Sequence, residues 1–372
     1  MQPIRIIIAG GGTGGHIFPA VAIGHALQRM APGTELLFVG ANGKMEMEKV
    51  PQEGFRIVGL DIAGMNRSSM LKNLTLPFKL IKSLWDARSI LKSFRPQVVV
   101  GVGGYASYPV LRMAQAMGIP TVIQEQNSYA GKSNKDLGRR ANAICVAYEG
   151  MNAFFPEQAL QMTGNPVRQL ITNATITHEA ACAQFNLDPL QKTLLVIGGS
   201  LGARSINEAI ATALPALMNK GIQILWQTGK GQVAEAETAA RSYPNRVVVK
   251  EFIREMDAAY AAADLVVSRA GALAIAELCI VAKPVIFVPY PHAAEDHQTS
   301  NARALVEKDA AWMIPDAKAR QELLPELLNL LQDAETQQTM RQALTALAIR
   351  NADERIAGKI LAFVSPSKTQ QP

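Results

Sequence analysis

The residues with the clearest chemical potential are Gly10, Gly11, Gly12, Thr13, Gly14, Gly15 and His16, which follow a short β-branched run, Ile4–Ala9. Pro19 suits a first helical turn, and Ala20, Ile23 and Leu27 continue at helical spacing. Strand, glycine loop and helix start together predict an anion site. Bare backbone N–H groups face outward, and the helix end carries about half a positive charge. A phosphate or diphosphate is the ligand this chemistry selects. His16, closing the loop, can accept a proton near neutral pH; a histidine on an apolar face is usually structural, but one that ends a five-glycine loop is expected to face the ligand. Gly10, Gly12 and Gly15 also satisfy G-x-G-x-x-G, but a dinucleotide site needs an acid at the end of the second strand. That strand, Glu35–Val39, ends in Gly40-Ala41-Asn42, and Glu35 stands at its wrong end. A dinucleotide is therefore disfavoured.

Elements of matching rhythm must position this loop. Strands are expected at 56–60, 97–100, 121–124 and 143–146, alternating with helices, which predicts a doubly wound parallel sheet with ligands at the carboxyl strand ends. Two further loops then join the first at one rim: Gly101-Val102-Gly103-Gly104-Tyr105 and Glu125-Gln126-Asn127. Gly164-Asn165-Pro166 reads as a boundary. Beyond it the plan repeats, with a strand at 193–197, the loop Gly198-Gly199-Ser200-Leu201-Gly202-Ala203 and a helix from Ser205. Further strands are expected at 222–226, 247–249, 265–267 and 285–288. Ser268-Arg269-Ala270-Gly271 leads into a second anion-binding helix start, where Ala272, Leu273, Ala274, Ile275 and Ala276 precede Glu277, an acceptor suited to a ribose diol. The polar run from Tyr290 to Ala302, which includes Gln298, suits sugar recognition. The expected fold class is α/β, with Rossmann-like domains at 1–163 and 164–344, a terminal helix within 345–364, and a disordered tail at 365–372.

The chain has 372 residues, 48% hydrophobic and 18% charged, a globular composition with room for two cores. It shows neither a secretory leader nor an apolar run long enough to span a bilayer. Cys145, Cys182 and Cys279 are few and scattered, which fits a reducing compartment and no disulfide framework. The net charge of +6 is concentrated in one place. Between Arg67 and Arg95 lie seven basic residues, among them Lys72, Lys79 and Lys82, against Asp86 alone. Phe78, Ile81 and Trp85 form one apolar stripe there, and Leu84, Leu91 and Phe94 belong to a second. Two readings stand: an amphipathic segment on an anionic membrane surface, or a solvated basic face over a wide core stripe. No motif for nucleic acid appears.

Taken together, 11–20, 101–109, 125–127, 164–168, 198–203, 268–273 and His297-Gln298 with Asn301-Ala302 resemble the MurG family of glycosyltransferases over nearly the whole chain. The resemblance implies the GT-B fold, two Rossmann-like parallel-sheet domains facing a central cleft, with the terminal helix returning to the first. It implies inverting transfer of N-acetylglucosamine from UDP-N-acetylglucosamine (UDP-GlcNAc) to the 4-hydroxyl of undecaprenyl-diphosphoryl-N-acetylmuramoyl-pentapeptide, forming the β-1,4-linked peptidoglycan precursor lipid II. By resemblance, Ile253 meets uracil through its backbone, Ser200 and Arg168 the diphosphate, Ala272 to Glu277 the phosphate and ribose, and Gln298 the sugar. Thr13, Gly14, Gly15 and Asn127 complete the donor site. The loops with Gly11, Gly12, Gly103, Gly104, Tyr105 and Glu125 hold the acceptor diphosphate. Lys72, Phe78, Lys79, Ile81, Lys82 and Trp85 form the membrane patch. No Asp-x-Asp motif occurs, so no metal or other cofactor is expected. The implied location is the cytoplasmic face of the inner membrane, with cell-wall synthesis proteins as partners. A related lipid glycosyltransferase and a UDP-GlcNAc 2-epimerase share this architecture and remain alternatives.

Overall fold

In a computed structural model the described residues are 3–62, 76–199 and 201–364, with positions 76–78 described as helical backbone only. The chain forms two compact units, Met1–Val167 with Asn351–Pro372, and Arg168–Arg350.

In the first unit the described strands are β1 (Arg5–Ala9), β2 (Glu35–Ala41), β3 (Arg56–Leu60), β4 (Val98–Gly101), β5 (Thr121–Glu125), β6 (Ala143–Val146) and β7 (Leu160–Met162). They pair in parallel in the order β3-β2-β1-β4-β5-β6-β7. The chain reverses direction across the sheet between β1 and β4, where Ile6 pairs with Val98 and Ala9 with Gly101. Loops leaving those two strands therefore meet at the topological switch point, where such sheets bind ligands. The β-branched runs are hydrophobic on both faces because helices cover both. Ile6 and Ile8 pack with Ile17, Ala20, Ile23 and Leu27 of helix Gly14–Met30 and with Ile356, Ala357 and Ile360 of helix Ala352–Leu361. Ile7 and Ala9, pointing the other way, pack with Ala87 and Leu91 of helix Leu76–Phe94 and with Val110, Leu111 and Ala114 of helix Ser107–Ala116.

The second unit repeats the arrangement with β8 (Thr193–Ile197), β9 (Gln223–Gln227), β10 (Val247–Lys250), β11 (Leu265–Ser268), β12 (Val285–Phe287) and β13 (Trp312–Met313), in the parallel order β10-β9-β8-β11-β12-β13. Its core forms round Trp226, whose indole N–H donates to Asn207 Oδ1 at 2.9 Å, so the largest buried ring leaves no polar atom unpaired. The three cysteines are buried, and burial pushes the thiols of Cys145 and Cys279 up to about 12.

The division between units falls after Val167 rather than at 163. Thr163 and Gly164 still donate to Val146 O, and Asn165 is tied by its side chain to Gln124 and to Gln126 O. The return to the first unit starts at Asn351 rather than 345. Helix Ala334–Leu347 belongs to the second unit, and Arg350 donates to the carbonyls of Thr172 and Ile280 there. Asp353, 3% exposed, then accepts from Arg29 at 2.7 Å in the first unit. The tail at 365–372 lies outside the described residues.

No described helix is long and apolar enough to cross a membrane. Helix Leu76–Phe94 buries Ser83, Ala87 and Leu91, a stripe at i, i+4 and i+8, and turns Ile81 (55% exposed) and Trp85 (69% exposed) outward. Its Lys79 and Lys82 are exposed, and Lys82 pairs with Asp61 at 2.7 Å. Lys72 and the side chain of Phe78 lie outside the described residues.

Candidate active site

At the switch point of the first unit, the loop after β1 does not present a row of bare N–H groups. Gly10 N–H donates to Val39 O at 3.0 Å, Gly11 N–H to Gly103 O at 3.3 Å, and Gly12 N–H to Glu46 Oε2 at 2.8 Å. The carboxylate of Glu46, 1% exposed, also accepts from Ala41 N–H at 2.9 Å. The sequence reading found no acid at the end of β2; the fold delivers one there from helix Glu46–Gln52, fixed on backbone donors. Gly14 and Gly15 differ: their N–H groups lie in a first helical turn without acidic residues and out of reach of intrahelical acceptors.

The loops after β1 and β4 interlock. A Cβ on Gly104 would overlap Gly11 O, and one on Gly103 would stand 2.8 Å from His16 Nε2. Only glycine allows the imidazole to lie over this backbone. His16 Nδ1 is 3.1 Å from Gly11 O and 3.4 Å from Thr13 Oγ1. A carbonyl only accepts, so in the neutral ring the proton belongs on Nδ1 and the lone pair on Nε2. Tyr105 is exposed beside this loop, at 53%.

The loop after β5 is held from within. Glu125, 2% exposed, accepts from Asn127 N–H, Asn127 Nδ2, Gly131 N–H and Asn134 Nδ2, at 2.8–3.3 Å. Its carboxylate thereby organises the loop from within. Gln126 Nε2 ties the same loop to Val102 O at 2.7 Å.

In the second unit, Gly202 and Gly229, with φ of 80° and 77°, let the loops after β8 and β9 touch backbone to backbone. Gln227 bridges them to the next segment, donating to Gly199 O at 3.1 Å and accepting from Ile253 N–H at 2.9 Å. The N–H of Ile253 is thus occupied. Ser200 lies outside the described residues. Helix Ala272–Val281 starts after Gly271, without acidic residues in its first turn, and Ala272, Leu273, Ala274 and Ala276 are half-buried while Ile275 is buried.

Glu277, 8% exposed, is held by Arg168 Nη2 at 3.2 Å on one oxygen and by the Tyr260 hydroxyl at 3.0 Å on the other. Burial raises its carboxyl above the usual range, while the Arg168 charge and the Tyr260 and Arg168 hydrogen bonds pull it down. Gln298 Oε1 accepts from Tyr290 N–H at 2.9 Å, so the amide oxygen is turned to the backbone and the NH₂ group is its donor side. Arg269 ties this rim together through Val288 O, Pro289 O, Ser205 and Asp316.

The glycosyltransferase family 28 N-terminal domain matches residues 6–146, and the C-terminal domain of the same family matches residues 193–356. A Bacteroides thetaiotaomicron protein named UDP-N-acetylglucosamine--N-acetylmuramyl-(pentapeptide) pyrophosphoryl-undecaprenol N-acetylglucosamine transferase is 52% identical over 97% of this chain and 98% of its own. The chain belongs to glycosyltransferase family 28. The crystal structure of Acinetobacter baumannii MurG superposes on this family 28 chain with a TM-score of 0.77, at 29% identity, covering 97% of this chain and 100% of that one. The fold is therefore GT-B. A UDP-N-acetylglucosamine 2-epimerase structure, at 15% identity over 100% of this chain and 99% of its own and a TM-score of 0.67, shares the fold alone.

Sequence reasoning missed several residues that support this family 28 site: Glu46, Gln227, Tyr260 and Asp316. Tyr260 had a signal, as an aromatic with a polar tip in an alanine-rich helix, Met256–Ala262. Glu46 had none, because its partners are backbone amides brought near only by the fold.

Proposed function

We propose that this chain transfers N-acetylglucosamine from UDP-GlcNAc to the 4-hydroxyl of undecaprenyl-diphosphoryl-N-acetylmuramoyl-pentapeptide, releasing UDP and forming the lipid II precursor of peptidoglycan. The observation that carries this reading is the 52% identity, over 97% of the chain, to the transferase of that name. In the second unit Ile253, through its carbonyl, meets uracil. Arg168 and the helix start at Ala272 meet the diphosphate, Glu277 the ribose hydroxyls and Gln298 the sugar. Each Glu277 oxygen has two lone pairs, so a ribose hydroxyl can share an oxygen with Tyr260 or Arg168.

In the first unit, the helix start at Thr13 to Gly15 and the loops at Gly103 and Asn127 serve the substrates' anionic and polar groups. His16 Nε2 orients or deprotonates the attacking hydroxyl as the bond from the anomeric carbon to UDP breaks, inverting that carbon. Charge on the leaving diphosphate is met by helix N-termini, loop amides and Arg168, with no resident metal.

The acceptor carries a polyprenyl chain, so the enzyme works at a membrane surface. Exposed Ile81 and Trp85 beside Lys79 and Lys82 support peripheral binding to anionic lipid on the cytoplasmic face. A role in cell shape and division, beside other cell-wall synthesis proteins, follows from the product.

The test uses purified protein with UDP-GlcNAc and the lipid-linked muramoyl-pentapeptide in detergent, with UDP release followed and the product weighed. A disaccharide-pentapeptide lipid, formed equally fast in EDTA, is the expected result. UDP release without that product points to another acceptor, and free N-acetylmannosamine to an epimerase; either overturns the assignment. In liposome sedimentation, Ile81→Ser with Trp85→Ala is expected to weaken binding to anionic vesicles by roughly tenfold or more, since a fully buried large apolar side chain is worth about 1.5–3 kcal/mol. Each basic residue adds about 1 kcal/mol that fades with salt. Unchanged sedimentation of this variant would remove the patch from the membrane.

A further inference from the structure

We propose that Glu46 is a positioning residue that sets the proton of His16 through a single peptide unit. The unit is the bond between Gly11 and Gly12. Its N–H, on Gly12, donates to Glu46 Oε2 at 2.8 Å, and its C=O, on Gly11, lies 3.1 Å from His16 Nδ1. Carboxylate, peptide and imidazole thus stand in one hydrogen-bonded line. A carboxylate on the N–H side draws the peptide dipole toward its carbonyl oxygen, which makes that oxygen a stronger acceptor for Nδ1–H. The result resembles a carboxylate–histidine dyad with an amide inserted between the two groups. As in a dyad, the acid fixes the tautomer and leaves Nε2 as the accepting nitrogen. This inference rests on the reading of His16 as the base.

Three further observations fit a built device. Glu46 is 1% exposed, and its other oxygen is anchored by Ala41 N–H at 2.9 Å, so the carboxylate has one orientation. The peptide it grips lies between two residues that only glycine fills comfortably, Gly11 with φ 145° and Gly12 with φ 90°. A Cβ on Gly11 would overlap the Glu46 carboxylate. Such a peptide could otherwise rotate and offer His16 its N–H, which would force the opposite tautomer. Glu46 makes that rotation costly, because a buried carboxylate would lose its donor and face a carbonyl. The imidazole is anchored through Nδ1 on the Gly11 carbonyl, and the expected response to the change is a shift of its proton.

The experiment labels the ring nitrogens and carbons of histidine in the full-length protein and reads the tautomer of His16 by long-range proton–nitrogen correlation. The signal is assigned by its loss in His16→Gln. The unmodified protein is expected to hold the proton on Nδ1. In Glu46→Gln one of the two backbone donors meets an NH₂ group, so the proton is expected to move wholly or partly to Nε2. With it, kcat should fall roughly tenfold or more, the scale on which residues behind a functional histidine act. The KM for UDP-GlcNAc should hold.

A purely structural Glu46 would lower Tm and kcat without moving the proton, and that result overturns the proposal. An Nε2–H tautomer in the unmodified protein overturns it as well, even if Glu46→Gln fails to fold. Full activity in His16→Ala, with a tautomer that still follows Glu46, removes the base reading and supports the coupling. A large loss in His16→Ala with a tautomer indifferent to Glu46 does the reverse.

Discussion

Alanine in place of His16 is expected to lower kcat by about 10²–10⁴-fold, the usual worth of a positioned general base, and to leave the KM for UDP-GlcNAc near its starting value. The split follows from where the contacts lie. The ring sits in the first unit, with Nδ1 against Gly11 O, so Nε2 is the nitrogen proposed to act on a substrate. The proposed donor contacts of Ile253, Arg168, Glu277 and Gln298 belong to the other unit. His16→Gln is the companion variant, because a carboxamide retains a hydrogen-bonding tip without a group that takes a proton near neutral pH. If it matches alanine, proton transfer is the missing function. If it restores most of the rate, His16 only orients the hydroxyl. A kcat within a few-fold of wild type in both variants would end the assignment. Tm is measured alongside, since deleting the ring uncovers Gly103.

The same region marks where sequence reasoning reaches its limit. The central strands were legible because runs such as Ile6-Ile7-Ile8 and Val98-Val99-Val100 are covered on both faces, so their composition reports burial directly. The edge strands β7 and β13 were not, since Leu160–Met162 and Trp312–Met313 have three and two residues and only half-covered or exposed side chains. The glycine loops, His16 and the helix start at Ala272 announce themselves by type and local spacing. What those loops do with their amides does not, because an N–H points outward or inward according to which acceptor the fold brings. Glu46 comes from a seven-residue helix containing Pro51, too short for a periodic pattern, and Glu125 satisfies four donors that the sequence shows only as a polar loop. Arg168 and Glu277 are 109 positions apart, and nothing local to either residue predicts that they pair.

That pair should give the largest effect on stability. Arg168→Ala is expected to destabilise the second unit by about 3 kcal/mol at neutral pH, at the low end for losing one partner of a buried pair because the arginine side chain remains 33% exposed. For a unit of this size that is a fall in Tm of roughly 6–12 °C.

The loss should depend on pH with a defined sign. Burial already raises the Glu277 carboxyl above its ordinary value of 4.5, and the Arg168 charge opposes that rise. Without the arginine it rises further, so across the window above 4.5 the folded variant binds a proton that the unfolded chain has released. Stability then falls as pH climbs through that window. The deficit against wild type should therefore be smallest just above the ordinary carboxyl value of 4.5 and grow as pH rises from there. Glu277→Gln in the same chain removes the stranded charge while keeping an oxygen for the Tyr260 hydroxyl, and it should recover most of the lost Tm at high pH. UDP affinity should not recover with it, since a charge-assisted contact worth about 1.5–3 kcal/mol is gone from the diphosphate site. A deficit independent of pH, or a double variant no more stable than Arg168→Ala, would show that the guanidinium is not what keeps Glu277 ionised. Recovery of stability together with UDP affinity would take Arg168 out of the diphosphate site and leave it as the counter-ion of a buried carboxylate.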